Sequence, residues 1–170
     1  EVAFAMADEL GIYLQPELPF WGTFSPAVRD ALWPEARALL REYGNHPSFV
    51  MLTLANEAGG DRTVMNRLVS DLRTLDPRRL YADGSNNVLW EPRLQPTNDF
   101  WATAKVIPPG QDKAVVARGS YCVFDGDEGP TQWGPATTRN DLSAATTGVP
   151  VPIMGHETAQ WTSYPDFAEI

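Results

Sequence analysis

Residues 44–57 read GNHPSFVMLTLANE, and AGG follows. Asn45-His46-Pro47-Ser48 is a tight turn, because the residue before a proline is pushed out of the α region. The apolar run from Phe49 to Ala55 has the length of a fully buried strand. It stops abruptly at Asn56-Glu57. A buried strand gains nothing from an amide and a carboxylate at its last positions. In parallel α/β folds, however, the carboxyl ends of the strands are where active sites are built.

Working outward, EVAFAMADELG (1–11) predicts the second half of a helix, with Val2, Ala5, Met6 and Leu10 on one face and Gly11 as its stop. IYLQPELPF (12–20) predicts a buried strand running into a Pro-rich loop. Ser25-Pro26 starts a helix through SPAVRDALW, and Pro34 marks a second start, PEARALLREYG, that ends at Gly44. Past AGGD, a helix is expected from about Arg62 to Leu75. Met65, Leu68, Val69, Leu72 and Leu75 recur there at three- and four-residue steps. RLYADGSNN (79–87) is a short strand closing in polar residues. Residues 88–113 show no sustained period. A strand at about VVARGSY (115–121), a Gly-rich loop, a short helix from about Asn140 to Thr147 and a strand VPVPIMGHE (149–157) complete the order.

Strands alternating with helices imply parallel βαβ units. The 170 residues fit a single domain, 1–170, and suffice for a sizeable core. A doubly wound sheet would accept five strands, and so would an incomplete (β/α)₈ barrel, since a complete one needs about 250 residues. The chain opens inside a helix and closes at the start of another near Ser163, so a longer protein is expected. No glycine fingerprint for a dinucleotide or phosphate follows any strand, and no cofactor is expected. Neither His46 nor His156 has a partner at zinc-like spacing, so no metal site is expected. The net charge of −9 argues against a nucleic-acid partner, and no apolar stretch reaches membrane-spanning length. The one cysteine, Cys122, reads as a buried thiol.

Carboxylates, amides and aromatics recur at the predicted strand ends. They are Gln15, Glu17 and Trp21; Asn56 and Glu57; Asp83, Ser85, Asn86 and Asn87; Arg118, Ser120 and Tyr121; then His156, Glu157, Gln160 and Trp161. Two glutamates at the ends of two buried strands suit glycoside hydrolysis, in which one carboxyl protonates the leaving oxygen and the other attacks the anomeric carbon. Aromatic faces at the rim, from Trp21, Trp101, Trp133 and Trp161, suit the C–H face of a pyranose. Other readings stand beside these. Glu57 also fits a solvated acid capping the next helix, and Glu157 a carboxylate paired with Arg118. Tyr121 also fits an edge-of-core tyrosine, and His156 a satisfied buried histidine. His46 and Trp33 read as structural.

EYGNHPSFVMLTLANE resembles the segment that ends at the acid/base glutamate in family 2 glycoside hydrolases. ADELGIYLQPELPFWG resembles the preceding helix and strand, and LDPRRLYADGSNN the Asp-Pro-Arg turn and the next strand. VPVPIMGHETAQWTSYPDFAEI resembles the strand bearing the nucleophile in a subgroup of large, multidomain relatives. The resemblance implies an incomplete TIM (β/α)₈ barrel with strands three to seven present. It implies a retaining exo-β-glycosidase acting on β-galactosides or related sugars, with Glu57 as acid/base and Glu157 as nucleophile. Asn56 would bond the sugar 2-hydroxyl and Tyr121 would steady the nucleophile. His156, Trp161, Glu17 and Trp101 are further candidates for substrate binding. His156 departs from many relatives, which carry a smaller residue before the nucleophile, and no acidic cluster matches the magnesium site of the best-known β-galactosidases. The expected partner is a carbohydrate substrate, with flanking β-sandwich domains in the full-length protein. A signal peptide on that protein would place it in the periplasm or outside the cell, and its lack would place it in the cytoplasm. An alternative from another class is a catalytically inactive carbohydrate-binding or scaffold fragment; a third is a doubly wound hydrolase using Glu and His.

Overall fold

The apolar run does form a strand, and it is the second in an arc of parallel strands taken in sequence order. The computed structural model describes residues 2–87, 92–117, 141–157 and 168. Leu14 and Glu17 bridge Phe49 and Thr53 in parallel. β2 (Met51–Thr53) pairs in parallel with β4 (Leu80–Ala82), Leu52 opposite Tyr81. Ser85 then bridges both Asn56 and Ala102, and β5 (Trp101–Thr103) pairs in parallel with β8 (Ile153–Gly155). Among the described residues, each parallel strand of this arc therefore neighbours the next parallel strand in sequence, β6 (Lys105–Val106) and β7 (Val115–Val116) lying outside it. A doubly wound sheet reverses its order partway, and no reversal occurs among the described residues. The ladders are short, and no closed barrel is found among the described residues.

The first two crossovers of the arc are helices of the expected kind. α2 (Pro26–Tyr43) starts at Ser25, whose side chain accepts the Val28 N–H, with Pro26 in the first turn. It is one helix, not the two that Pro34 suggested. Pro34 faces solvent, while Leu32, Ala36 and Leu40 on either side of it are buried. Burying large side chains at roughly 1.5–3 kcal/mol each outweighs the hydrogen bond lost at an exposed proline, about 3 kcal/mol. α3 (Arg62–Leu75) is capped by Asp61, which accepts from the N–H groups of Thr63 and Val64. Its buried stripe is Met65, Leu68, Val69 and Leu72, whereas Leu75 is exposed. These side chains join Leu52, Leu54 and Tyr81 in the main core. Thr53, between Leu52 and Leu54, points to the opposite face of the sheet.

Two further expectations change. α1 (Val2–Leu10) buries Phe4 and Ala7, leaving Val2, Met6 and Leu10 exposed. Polar contacts set that rotation. Asp8 accepts the Ser48 N–H at 2.9 Å and lies 2.6 Å from His46 Nδ1, while Phe4 stacks on Tyr43 and His46. The parallel strand expected at VVARGSY is instead β5, inside the stretch that showed no period. Of residues 115–121, Val115–Val116 form β7, an antiparallel pair with β6 (Lys105–Val106), and 118–121 lie outside the described residues. Tryptophan, alanine and threonine side chains, all buried, gave β5 no alternation to recognise. The short helix is α4 (Ser143–Thr146). Among the described residues, no helix is long and apolar enough to cross a membrane.

Candidate functional site

At the carboxyl end of the arc three strands finish in the same way. Glu57 N–H donates to Ser85 O at 2.8 Å, Asn86 N–H to Ala102 O at 2.9 Å, and His156 N–H to Thr103 O at 3.1 Å. Each ladder bond thus reaches the next strand or the one before it. The backbone then turns left-handed at Glu57 (φ 49°), Asn86 (φ 52°) and Glu157 (φ 53°). Among the described residues these are the three non-glycine positions with positive φ. A left-handed L-residue costs roughly 1–2 kcal/mol, and such residues cluster where a side chain must be aimed for a task. The two glutamates singled out in the sequence carry that cost at equivalent places.

Beneath them lies a polar floor spanning three strands. Gln15 Nε2 donates to Ser85 Oγ at 3.0 Å and to Thr53 Oγ1 at 3.4 Å. Asn56 N–H donates to Phe20 O at 3.0 Å, but its buried Oδ1 has no hydrogen-bond partner among the described residues. A buried acceptor left unmade costs about 1–3 kcal/mol, and a hydroxyl arriving from solvent would satisfy it. The Trp21 indole N–H donates to Glu57 Oε2 at 3.2 Å. Because an indole can only donate, Oε2 is the acceptor of this bond. His156 Nε2 lies 3.7 Å from Glu17 Oε1, so the first and last segments of the arc meet at its mouth. Glu157 beside that pair is exposed.

The SNN end of the third strand is structural. Asn86, fully buried, accepts the Ala104 N–H at 2.6 Å, and Asn87 Oδ1 accepts the N–H of Ala58, next to Glu57, at 2.8 Å. Asp83 is buried too, and Asn98 Nδ2 donates to it at 2.5 Å while Asp83 N–H returns a bond to Asn98 Oδ1 at 2.9 Å. Burial pushes the Asp83 carboxyl above the usual carboxylate range, against the pull of Asn98 and Asn87.

Of the residues predicted from the sequence, Glu17, Asn56, Glu57, His156 and Glu157 all stand at the carboxyl end of the arc. Trp101 does not join them. It is 5% exposed within a core of Val106, Ala117, Ala145 and Ile153, because its position in β5 points it away from the mouth. Tyr121 and Trp161 lie outside the described residues, as do Arg118 and Trp133. Glu57 does not cap α3, a role taken by Asp61. Trp21 reads from the sequence only as a rim aromatic, and its bond to Glu57 joins residues 36 positions apart. The Gln15–Ser85 bond is likewise long-range. Strand-end position was the available signal for both. Among the described residues, no group of three or more His, Cys, Asp or Glu side chains is placed to hold a metal ion.

No protein-family model matches the chain, and no curated protein matches it. Three solved β-glucuronidase structures are similar in part. For β-glucuronidase from Parabacteroides merdae the identity is 20% and the TM-score 0.47, over 61% of this chain and 14% of that one. The same enzyme with glycerol in its active site gives 21%, 0.48, 61% and 14%. Apo β-glucuronidase 3 from Bacteroides uniformis gives 20%, 0.47, 60% and 14%. The chain thus spans 14% of the length of each of these three. At this level of superposition the likeness settles neither activity nor family.

Proposed function

We propose that the chain is the central arc of a catalytic (β/α)₈ barrel in a retaining exo-β-glycosidase of family 2 type, acting on β-galactosides or related sugars. One observation carries the reading: two glutamates, Glu57 and Glu157, occupy left-handed positions at the carboxyl ends of strands in one parallel, sequence-ordered arc. In this mechanism Glu157 attacks the anomeric carbon and the bond to the leaving oxygen breaks. Glu57 delivers its proton to that oxygen. A glycosyl ester on Glu157 results, and the ionised Glu57 then takes a proton from the water that cleaves it. The open Oδ1 of Asn56 would receive a sugar hydroxyl donor beside the reacting centre. In the full-length protein, flanking β-sandwich domains accompany the barrel.

A second reading, sugar binding without turnover, is favoured by the exposure of Glu157. Azide rescue separates the two. Glu157→Ala should lose hydrolysis of an aryl β-galactoside, and azide should restore turnover with an α-galactosyl azide as product. Glu57→Ala should slow poor leaving groups by roughly 10²–10⁴-fold, and azide should then give the β-galactosyl azide. Unchanged hydrolysis by Glu157→Ala would overturn the assignment, and sugar binding by calorimetry without turnover in the parent chain would favour the second reading.

A further inference from the structure

Trp21 is 72% exposed, yet nothing about its surroundings is loose. Past Glu17, the first strand segment stays zipped to the end of the second. Asn56 N–H donates to Phe20 O, Gly59 N–H to Gly22 O at 2.9 Å and Asp61 N–H to Phe24 O at 3.0 Å. β1 (Thr23–Phe24) pairs in parallel with β3 (Gly59–Gly60). The two chains run so close that a Cβ on Gly60, at φ +99°, would stand 2.4 Å from Phe24 O, so only glycine fits. Phe20 packs edge-on against the buried Phe24 at a centroid distance of 5.5 Å. Trp21 is thus held on both sides, and its indole N–H is tied to Glu57 Oε2. An exposed tryptophan anchored through its only polar atom leaves its apolar faces free for a ligand.

The ring's place beside Glu57 decides which part of a ligand it meets. The general acid gives its proton to the glycosidic oxygen, so whatever lies beyond that oxygen is the leaving group. We infer that Trp21 is the platform for the leaving group, the +1 side of the site, and that the substrate class is β-glycosides whose aglycone has a flat or ring-shaped apolar face: a second pyranose or an aryl group. This rests on the proposed role of Glu57. Aglycones able to stack on the ring face should therefore be strongly preferred over methyl.

The test is the indole ¹⁵N–¹H spectrum of the whole chain, with the Trp21 signal assigned by its loss in Trp21→Phe. Lactose should shift the Trp21 signal, and methyl β-galactoside, with no ring beyond the glycosidic oxygen, should leave it in place. Trp21→Ala should weaken lactose binding roughly tenfold or more, while Trp21→Phe, which keeps an aromatic face, should retain most of it. If lactose is hydrolysed, or shifts other indoles, while the Trp21 signal stays fixed, the platform is overturned and the glycosidase reading stands. If neither sugar shifts any indole and no aryl glycoside is hydrolysed, both fall.

Discussion

Glu57 and Asp83 show how much one residue's surroundings decide. Both are acids near the end of a strand, two strands that share the Asn56–Ser85 bridge. Glu57 turns left-handed into a half-open position under an indole, whereas Asp83 folds back onto Asn98 and is buried. The sequence marks both as strand-end acids, and nothing local distinguishes them, because Asn98 comes from a stretch without a period. Asp83 makes a prediction with a definite sign. Its folded pKa is raised, so below its unfolded value, near 3.9, both states are protonated and its ionisation removes no stability. As pH rises from there the unfolded chain ionises first, and stability falls until the raised folded value is passed. The slope from this one group reaches at most about 1.4 kcal/mol per pH unit. Asp83→Asn should remove it, as measured by denaturant midpoints between pH 4 and 7; an identical slope in the variant would contradict the buried, proton-holding Asp83.

Among the elements, α3 was the most legible, because four of its five spaced apolar residues are buried as expected. The fifth sets a contrast at this scale. Leu68→Ala should cost about 2–5 kcal/mol by leaving a cavity, while Leu75→Ala, at a position 47% exposed, should change stability by less than about 0.5 kcal/mol. Urea midpoints decide it, and equal losses would mean that the helix is rotated from the position described. The expected inner face of α1 is reversed, since Val2, Ala5, Met6 and Leu10 all face outward, and the Asp8–His46–Ser48 contacts that turn Phe4 inward join residues about forty positions apart. β5 was missed for the opposite reason. Its side chains are buried on both faces, so the alternation that reveals a strand is absent. Pro34 misled through local propensity, which packing on the buried side of α2 overrode.

For the whole molecule, the alternation of strands and helices made an α/β fold with parallel strands legible, whereas strand order, which sequence pattern does not encode, emerges from the bridges and ladders among the described residues. Polar strand ends then named Glu57 and Glu157. Their partners were hidden because Trp21 meets Glu57, and Glu17 meets His156, only once the arc has curved. If that curved arc is the working surface of a retaining glycosidase, one of its two glutamates must become covalently attached to sugar during every turnover. The most direct measurement is peptide mass mapping after incubation with 2,4-dinitrophenyl 2-deoxy-2-fluoro-β-galactoside, whose fluorine slows release of the glycosyl ester so that it accumulates. One fluorosugar per chain should be found, on the peptide containing Glu157 and absent from Glu157→Ala. A label on Glu57 or any other residue, or stoichiometric release of dinitrophenol with no attached sugar, would contradict this assignment.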